Sequence, residues 1–149
     1  MIQPFDDVYF MKKALQEARI AFDKGEVPVG AIIVFNNQII ARAYNLTETL
    51  NDVTAHAEMQ AFTAAADFLG GKYLIDCVLY VTLEPCQMCA GASYWTQIGK
   101  IVYGASEPER GFVNLQTTLH PKTTVVGGIL ENECSQLLKR FFIEKRTLN

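Results

Sequence analysis

Residues 77–99 read CVLYVTLEPCQMCAGASYWTQIG, and the fold class can be inferred from this segment. The first seven residues form a continuous apolar run of strand length, which is typical of a strand buried on both faces of a sheet. Pro85 ends this run, and the pattern after it predicts a helix from about Cys86 to Ile98. A buried strand that leads directly into a helix indicates an α/β fold.

The chain before this unit predicts a helix and a hairpin. Apolar residues recur three and four positions apart over 8–22, which predicts an amphipathic helix that Asp6 or Asp7 can cap. Two apolar runs within 29–44 flank the pair Asn36-Asn37, a sequence suited to a two-residue hairpin turn.

Further elements complete the alternation of strands and helices. Thr54 can cap an alanine-rich helix that runs to about Phe68. Short strands are predicted at 100–103 and at 123–126, and a closing helix is predicted at 131–144. Together the elements predict an α/β sandwich in which about five strands form one sheet covered on both faces.

Composition excludes several classes of protein. Half of the residues are apolar and the net charge is only −3, which excludes a disordered chain. The longest uncharged stretches, Val27–Ala41 and Pro85–Gly99, are 15 residues long and too short to span a membrane. The first residues, MIQPFDDV, lack the features of a secretory signal. We therefore expect one cytoplasmic domain over 1–149, and a metal or catalytic role for cysteines rather than two disulfides.

Two short motifs carry the chemistry: TAHAE at 54–58 and PCQMC at 85–89. Cysteines three positions apart in a first helical turn lie on one face, so Cys86 and Cys89 can hold one ion between them. Zn²⁺ suits a site with two thiolates and one imidazole, which makes His56 the predicted third ligand. Three protein ligands leave a fourth position for water, as in catalytic zinc sites.

Glu58 distinguishes a catalytic site from a structural one. Residues two positions apart on a helix point about 200° away from each other, so Glu58 is not expected to ligate the ion that His56 binds. Its carboxylate can instead accept a proton from water on the zinc ion and pass it to a substrate. This is the chemistry of hydrolytic deamination.

A Cys-x-x-Cys pair alone also fits three further kinds of site: a redox pair, half of a structural zinc site or two buried thiols. A closed structural site needs Cys77 or Cys134 as a fourth ligand. We expect Cys77 to lie too far along its strand and Cys134 to be a buried apolar residue. His120, which precedes a proline, is expected in a loop.

The motifs and their surroundings resemble the bacterial tRNA-specific adenosine deaminases, which belong to the cytidine deaminase-like superfamily. The similarity spans about 8–143 and rests on these stretches: EVPVGA at 26–31, Asn45, TAHAE at 54–58, LYVTLEPCQMCAGA at 79–92 and VYGA at 102–105. The resemblance implies a three-layer α/β/α fold with a mixed sheet and one zinc ion per subunit. It also implies a homodimer that converts adenosine to inosine at the wobble position of an arginine tRNA, with the anticodon stem-loop as partner.

The same resemblance assigns residues to the substrate. Asn45 corresponds to the residue that hydrogen-bonds the flipped nucleoside. The base pocket is implied to comprise Pro28, Val29 and Leu83, with backbone around Ala57 and Glu84 reading the ring.

Two other functions compete with this interpretation. A deaminase of a free base or nucleoside (guanine, cytosine or cytidine) carries the same zinc motif, and Tyr94-Trp95 resembles the guanine deaminases. A non-catalytic zinc subunit has no need of Glu58. The last eleven residues carry a net charge of +3, which suits either a solvated helix end or a contact with RNA.

Overall fold

The computed structural model describes residues 5–147 and confirms the predicted alternation of helices and strands. The elements in chain order are α1 (Asp7–Asp23), β1 (Gly30–Phe35), β2 (Gln38–Tyr44), α2 (Ala57–Leu69), β3 (Cys77–Leu83), α3 (Gln87–Thr96), β4 (Lys100–Ala105), β5 (Thr124–Val126) and α4 (Glu131–Thr147). Within the described range, no helix combines the length and the apolar character that a membrane crossing requires.

The five strands form one mixed sheet in the order β2-β1-β3-β4-β5. β1 pairs antiparallel with both β2 and β3, whereas β3, β4 and β5 run parallel. The hairpin turns at Asn36 and Asn37, whose φ angles of 51° and 60° are those of the predicted two-residue turn. β3 takes the central position because its side chains are apolar on both faces.

Helices cover both faces of the sheet, which confirms the three-layer architecture. On one face, the alanines of α2 (Ala57, Ala61 and Ala65) pack in the same core as Leu79 and Val81 of β3. The other face carries a second core formed with α1 and α4, which includes fully buried Met11 and Val102. Small side chains on α2 let the helix lie close to the sheet, and this fixes the position of its N-terminus.

α1 approaches β1 most closely at Gly30. A Cβ atom at this position would overlap the backbone of Ala14 and Ala18, and it would lie 2.8 Å from the Cβ of Glu17. Only glycine permits this separation of helix and strand. The glycine in the EVPVGA stretch is therefore a packing requirement of the fold.

Three helix boundaries differ from those predicted. α2 begins at Ala57 rather than after Thr54, because the amide and hydroxyl of Thr54 donate to the Asp52 carboxylate at 2.9 and 2.7 Å and hold Thr54 in the preceding loop. α3 covers Gln87–Thr96 and ends where Gln97 turns left-handed, with φ of 56°. α4 continues to Thr147 rather than 144.

Candidate metal centre and active site

The N-termini of α2 and α3 bring the two sequence motifs together. His56 is the N-cap residue of α2 and Cys86 is the N-cap residue of α3; both have extended backbone and neither side chain caps its own helix. Cys89 lies three residues further along α3 and is 1 % exposed. The side chains of the two motifs are thus free to face one another across the gap between the helices.

His56, Cys86 and Cys89 form a group that could hold a metal ion. Nδ1 of His56 lies 3.6 Å from Sγ of Cys86 and 3.5 Å from Sγ of Cys89. All three potential ligand atoms lie within 4.8 Å of one another. Among residues 5–147, no other group of three or more His, Cys, Asp or Glu residues could hold a metal ion in this way. The two other cysteines, Cys77 and Cys134, are 1 % exposed and pack in the cores on opposite faces of the sheet.

The electrostatics of the group favour a thiolate. Hydrogen bonds from Cys89 and His56 lower the pKa of the Cys86 thiol from 9.0 to about 4. The hydrogen bond with Cys86 also raises the pKa of His56. The partial positive charges of two helix N-termini favour negative charge at the same place. The Cys86 sulfur is therefore suited to a cation, whereas the hydrogen bond with Cys86 and burial raise the pKa of the Cys89 thiol.

Glu58 lies in the first turn of α2, beside the cluster. Its side chain is only 4 % exposed. Burial raises the pKa of its carboxyl group from 4.5 to about 6, and a hydrogen bond from its own backbone amide and the charge of His56 work in the opposite direction. The carboxyl group is not one of the three clustered ligand groups.

A cavity of about 560 Å³ opens directly above this cluster. Its lining includes most of the residues that the sequence singles out: Val29, Asn45, His56, Ala57, Glu58, Leu83, Glu84 and Cys86. Pro28 is the exception among the predicted pocket residues, since its side chain is fully buried in the interior. Its neighbour Val29 lines the cavity.

Asn45 presents an unsatisfied polar atom at this cavity. Its backbone amide donates to the Val29 carbonyl at 3.0 Å, and its side-chain Nδ2 donates to Oγ1 of Thr47 at 3.4 Å. Its Oδ1 is buried and has no hydrogen-bond partner. A buried acceptor without a partner is costly, and it is found where a ligand supplies the missing donor.

The side chain of Glu84 is occupied by the protein itself. Its carboxylate accepts hydrogen bonds of 3.0 Å from the backbone amides of both Glu107 and Val113. These bonds fold the segment 106–113 against the cavity, where Glu107 and Arg110 form part of the wall. The carboxylate of Glu84 is thus engaged within the protein, and the resemblance assigns only backbone around Glu84 to the ring.

Sequence reasoning missed the contribution of α4 to the cavity. Leu138 and Phe142, one helical turn apart, line the opening, and Phe142 is 48 % exposed. Their spacing identifies one helix face but carries no information about which cavity that face borders. The pair Tyr94-Trp95, in contrast, is not part of the cavity lining, and Trp95 is 77 % exposed on α3.

Comparison with known proteins agrees with this geometry. The family model described as MafB19-like deaminase matches residues 5–146. A tRNA-specific adenosine deaminase from Bacillus subtilis (strain 168) is 46 % identical over 146 residues, covering 94 % of this chain and 91 % of the relative. The chain belongs to the MafB19-like deaminase family, which its model matches over nearly the whole length, and it is similar to the tRNA-specific adenosine deaminases.

Solved structures show the same relationship. A structure from a study of A-to-I editing by tRNA:A34 deaminases superposes with a TM-score of 0.82 at 42 % identity, covering 87 % of this chain and 99 % of the other. Guanine deaminase from Bacillus subtilis superposes with a TM-score of 0.63 at 38 % identity, covering 72 % of this chain and 66 % of the other. The structure from the tRNA:A34 deaminase study therefore matches this chain over a larger share of its length, and at higher identity, than the guanine deaminase does.

Proposed function

We propose that the chain deaminates adenosine to inosine at the wobble position of a tRNA anticodon loop, with a zinc ion held by His56, Cys86 and Cys89. The observation that carries the proposal is the arrangement of these three ligand groups beside buried Glu58 at the floor of a cavity. The near-full-length similarity to tRNA-specific adenosine deaminases supports the choice of substrate.

The distances within the cluster fit zinc. A tetrahedral ion with bonds of about 2.3 Å to sulfur and about 2.0 Å to nitrogen separates the nitrogen and sulfur atoms by about 3.5 Å. The observed separations from His56 to the two cysteines are 3.5 and 3.6 Å. Two thiolates also neutralise the charge of a divalent cation, and one imidazole completes a common zinc set.

Glu58 is proposed to move protons. When bound, zinc supplies a water molecule activated for attack at neutral pH. The Glu58 carboxylate would accept one proton of the attacking water, whose oxygen bonds to the amino-bearing carbon as a hydroxyl, and would deliver that proton to the adjacent ring nitrogen. The same group then takes the proton of the new hydroxyl and gives it to the amino group. One water is consumed, the carbon–nitrogen bond breaks, and ammonia leaves while the carbonyl of inosine forms.

The cavity supports a nucleoside presented outside a helix. A volume of about 560 Å³ accommodates a purine nucleoside, and Asn45 offers its free acceptor to a hydroxyl or N–H group of that ligand. A base stacked in a duplex cannot reach such a site, whereas the unpaired bases of an anticodon loop can be turned out into it.

Guanine deamination is the second candidate, because a guanine deaminase is 38 % identical over 72 % of the chain. The Tyr94-Trp95 pair, which favoured this candidate in the sequence, does not border the cavity. The experiment is a comparison of substrates: an adenosine-containing anticodon stem-loop against free guanine, cytosine and cytidine, with ammonia and inosine as readouts. Turnover of the stem-loop alone supports the proposal, and turnover of guanine with an inert stem-loop contradicts it.

Two substitutions test the assigned roles. Glu58→Gln keeps the size of the side chain and is expected to retain the metal, measured by elemental analysis, while turnover falls by about 10²–10⁴-fold. Asp67→Asn, near the exposed C-terminal end of α2, is the matched control and is expected to leave both readouts unchanged. Full turnover in Glu58→Gln would contradict the proton-transfer role.

The proposed assembly is a homodimer, and exposed apolar side chains support it. Trp95 is 77 % exposed and is the single tryptophan of the chain. Large aromatic residues left in water are typical of protein interfaces. Sedimentation at decreasing concentration tests the assembly, and the emission maximum of Trp95 is expected to shift to longer wavelength as dimers dissociate. A monomer at all concentrations contradicts this part of the proposal.

A further inference from the structure

Arg110 lines the cavity but has no part in the chemistry proposed above. Among the described residues of the lining, it is the one arginine or lysine. Two of the three glutamates in the lining, Glu58 and Glu84, are only 4 % and 5 % exposed, whereas Arg110 is exposed to solvent. An anion that approaches this wall of the cavity therefore meets the charge of Arg110.

The backbone on both sides of Arg110 is fixed by one buried carboxylate. Glu84 accepts hydrogen bonds of 3.0 Å from the backbone amides of Glu107 and Val113, and Arg110 lies midway between these two residues in the sequence. A carboxylate buried without such donors is costly, so folding favours a structure that keeps both bonds. The loop that carries the arginine is thus held at its two ends.

The same segment is joined to the metal site. The amide of Phe112 donates to the carbonyl of Pro85 at 3.0 Å, and Gly111 forms an isolated bridge with Cys86. The side chain of Phe112 is only 6 % exposed, so the segment also has an apolar anchor. The backbone of Arg110 is therefore held in a fixed position relative to a predicted metal ligand.

The guanidinium group of Arg110 is available to a ligand. Within the part of the chain that the structure describes, it forms no ion pair with a carboxylate. The nearby carboxylate of Glu107 instead accepts a hydrogen bond from the backbone amide of Arg110. A guanidinium group has five N–H donors in a planar fork, which matches two oxygens of a phosphate.

We propose that Arg110 is a specificity-determining residue, which binds a backbone phosphate of the RNA next to the nucleoside that enters the cavity. A nucleoside within a strand has a phosphate on each side, whereas a free base or nucleoside has none. A cation at this wall therefore favours a target in a strand. Glu84 is the positioning residue, because it holds the segment in place before the substrate binds. This inference rests on the proposed function for the identity of the substrate.

The salt dependence of binding tests the contact. Arg110→Gln is expected to raise KM for the anticodon stem-loop by about tenfold, the loss of one charge-assisted hydrogen bond, with kcat changed less than about twofold. The slope of log affinity against log salt concentration, measured with a fluorescent stem-loop and the metal-loaded protein, is expected to fall by about 0.7, the contribution of one phosphate in a single strand.

Two further variants separate the contact from a general effect of charge. Arg110→Lys keeps the charge and is expected to retain the salt slope of wild type. Arg19→Gln is the matched control, because it removes the same charge from an exposed position on α1 outside the cavity lining, and it is expected to leave KM and the slope unchanged. An Arg110→Gln variant with the salt slope of wild type overturns the inference.

A modified substrate identifies the phosphate. In two stem-loops, the phosphate 5′ or 3′ of the target adenosine is replaced by a neutral methylphosphonate, and each is compared with the same 2′-deoxynucleotide carrying an ordinary phosphate. One of the two replacements is expected to raise KM for wild type by about tenfold and to have no further effect in Arg110→Gln. Replacements whose effects add to that of Arg110→Gln overturn the inference.

Glu84→Gln tests the positioning role. The substitution replaces one acceptor oxygen by a donor, so the side chain can accept from only one of the two amides. It is expected to raise KM for the stem-loop when Arg110 is present and to have no further effect in Arg110→Gln. Additive effects overturn the positioning role. Unfolding curves and metal content show whether the Glu84 variant is folded and loaded, and if it is not, Gly111→Ala replaces it in the same comparison.

The failure of this inference differs from the failure of the proposed function. Wild type that turns over the stem-loop with the same KM and salt slope as Arg110→Gln overturns the inference alone. Wild type that binds the stem-loop through Arg110 but releases no inosine contradicts the proposed function alone.

Discussion

Replacement of Gly111 by alanine tests how the cavity wall is anchored. Gly111 lies directly against Glu84 and forms an isolated bridge with Cys86. An added Cβ would overlap the Glu84 carboxylate and the backbone carbonyl of Glu107. The Glu84 carboxylate would have to retreat by about 1 Å to restore ordinary contact with the new Cβ atom. The second overlap, with the Glu107 carbonyl, involves backbone and cannot be relieved by rotation of a side chain.

The cost follows from the bonds that the retreat breaks. Glu84 accepts two backbone hydrogen bonds of 3.0 Å, and a shift of about 1 Å takes both beyond hydrogen-bonding distance. Each hydrogen bond to a charged group contributes about 1.5–3 kcal/mol, so we expect a loss of at least about 3 kcal/mol in the free energy of unfolding. For a chain of this size that loss lowers Tm by about 6–12 °C.

The assay is urea and thermal unfolding of the metal-loaded protein, with metal content measured in parallel. Gly91→Ala is the control, because an added Cβ in the middle of α3 has no neighbour within 4 Å. It is expected to stabilise the protein by about 0.5–1 kcal/mol through helix propensity. A Gly111→Ala variant whose free energy of unfolding stays within about 0.5 kcal/mol of wild type would show that Glu84 does not anchor 106–113.

Three further outcomes are expected. Cys86→Ser should lose the bound metal and with it part of the stability, whereas Cys134→Ser should keep the metal because that thiol lies in the core behind the sheet; equal metal content in both contradicts the ligand assignment. The stability advantage of wild type over Glu26→Gln should be full near neutral pH and shrink as pH falls below 4.5, because the folded-state pKa of Glu26 is lowered; an advantage that grows in acid contradicts it. Gly30→Ala should destabilise the protein by about 1–3 kcal/mol in urea unfolding, because α1 must move away from β1; an unchanged midpoint contradicts the close packing.

Features that depend on residues close together in the chain were predicted correctly from the sequence. The apolar run of β3, the Asn36-Asn37 turn and the spacing of Cys86 and Cys89 each depend on neighbours in the chain. The predicted start of α2 was wrong because two candidates compete there. Thr54 has the composition of a cap, yet its side chain bonds back to Asp52 and His56 takes the N-cap position.

Residue types and their spacing were enough to predict a ligand set for one metal ion, a carboxyl group beside it and an α/β fold. Each half of the site lies within one short motif, His56 with Glu58 and Cys86 with Cys89, so each pair is visible in the sequence. The surroundings of the site depend on contacts between distant segments, which only the folded chain shows. The contact of Leu138 and Phe142 with the cavity joins elements that are far apart in the chain. The hydrogen bonds from the backbone amides of Glu107 and Val113 to the Glu84 carboxylate also join residues far apart in the chain, and only the folded backbone brings these groups together.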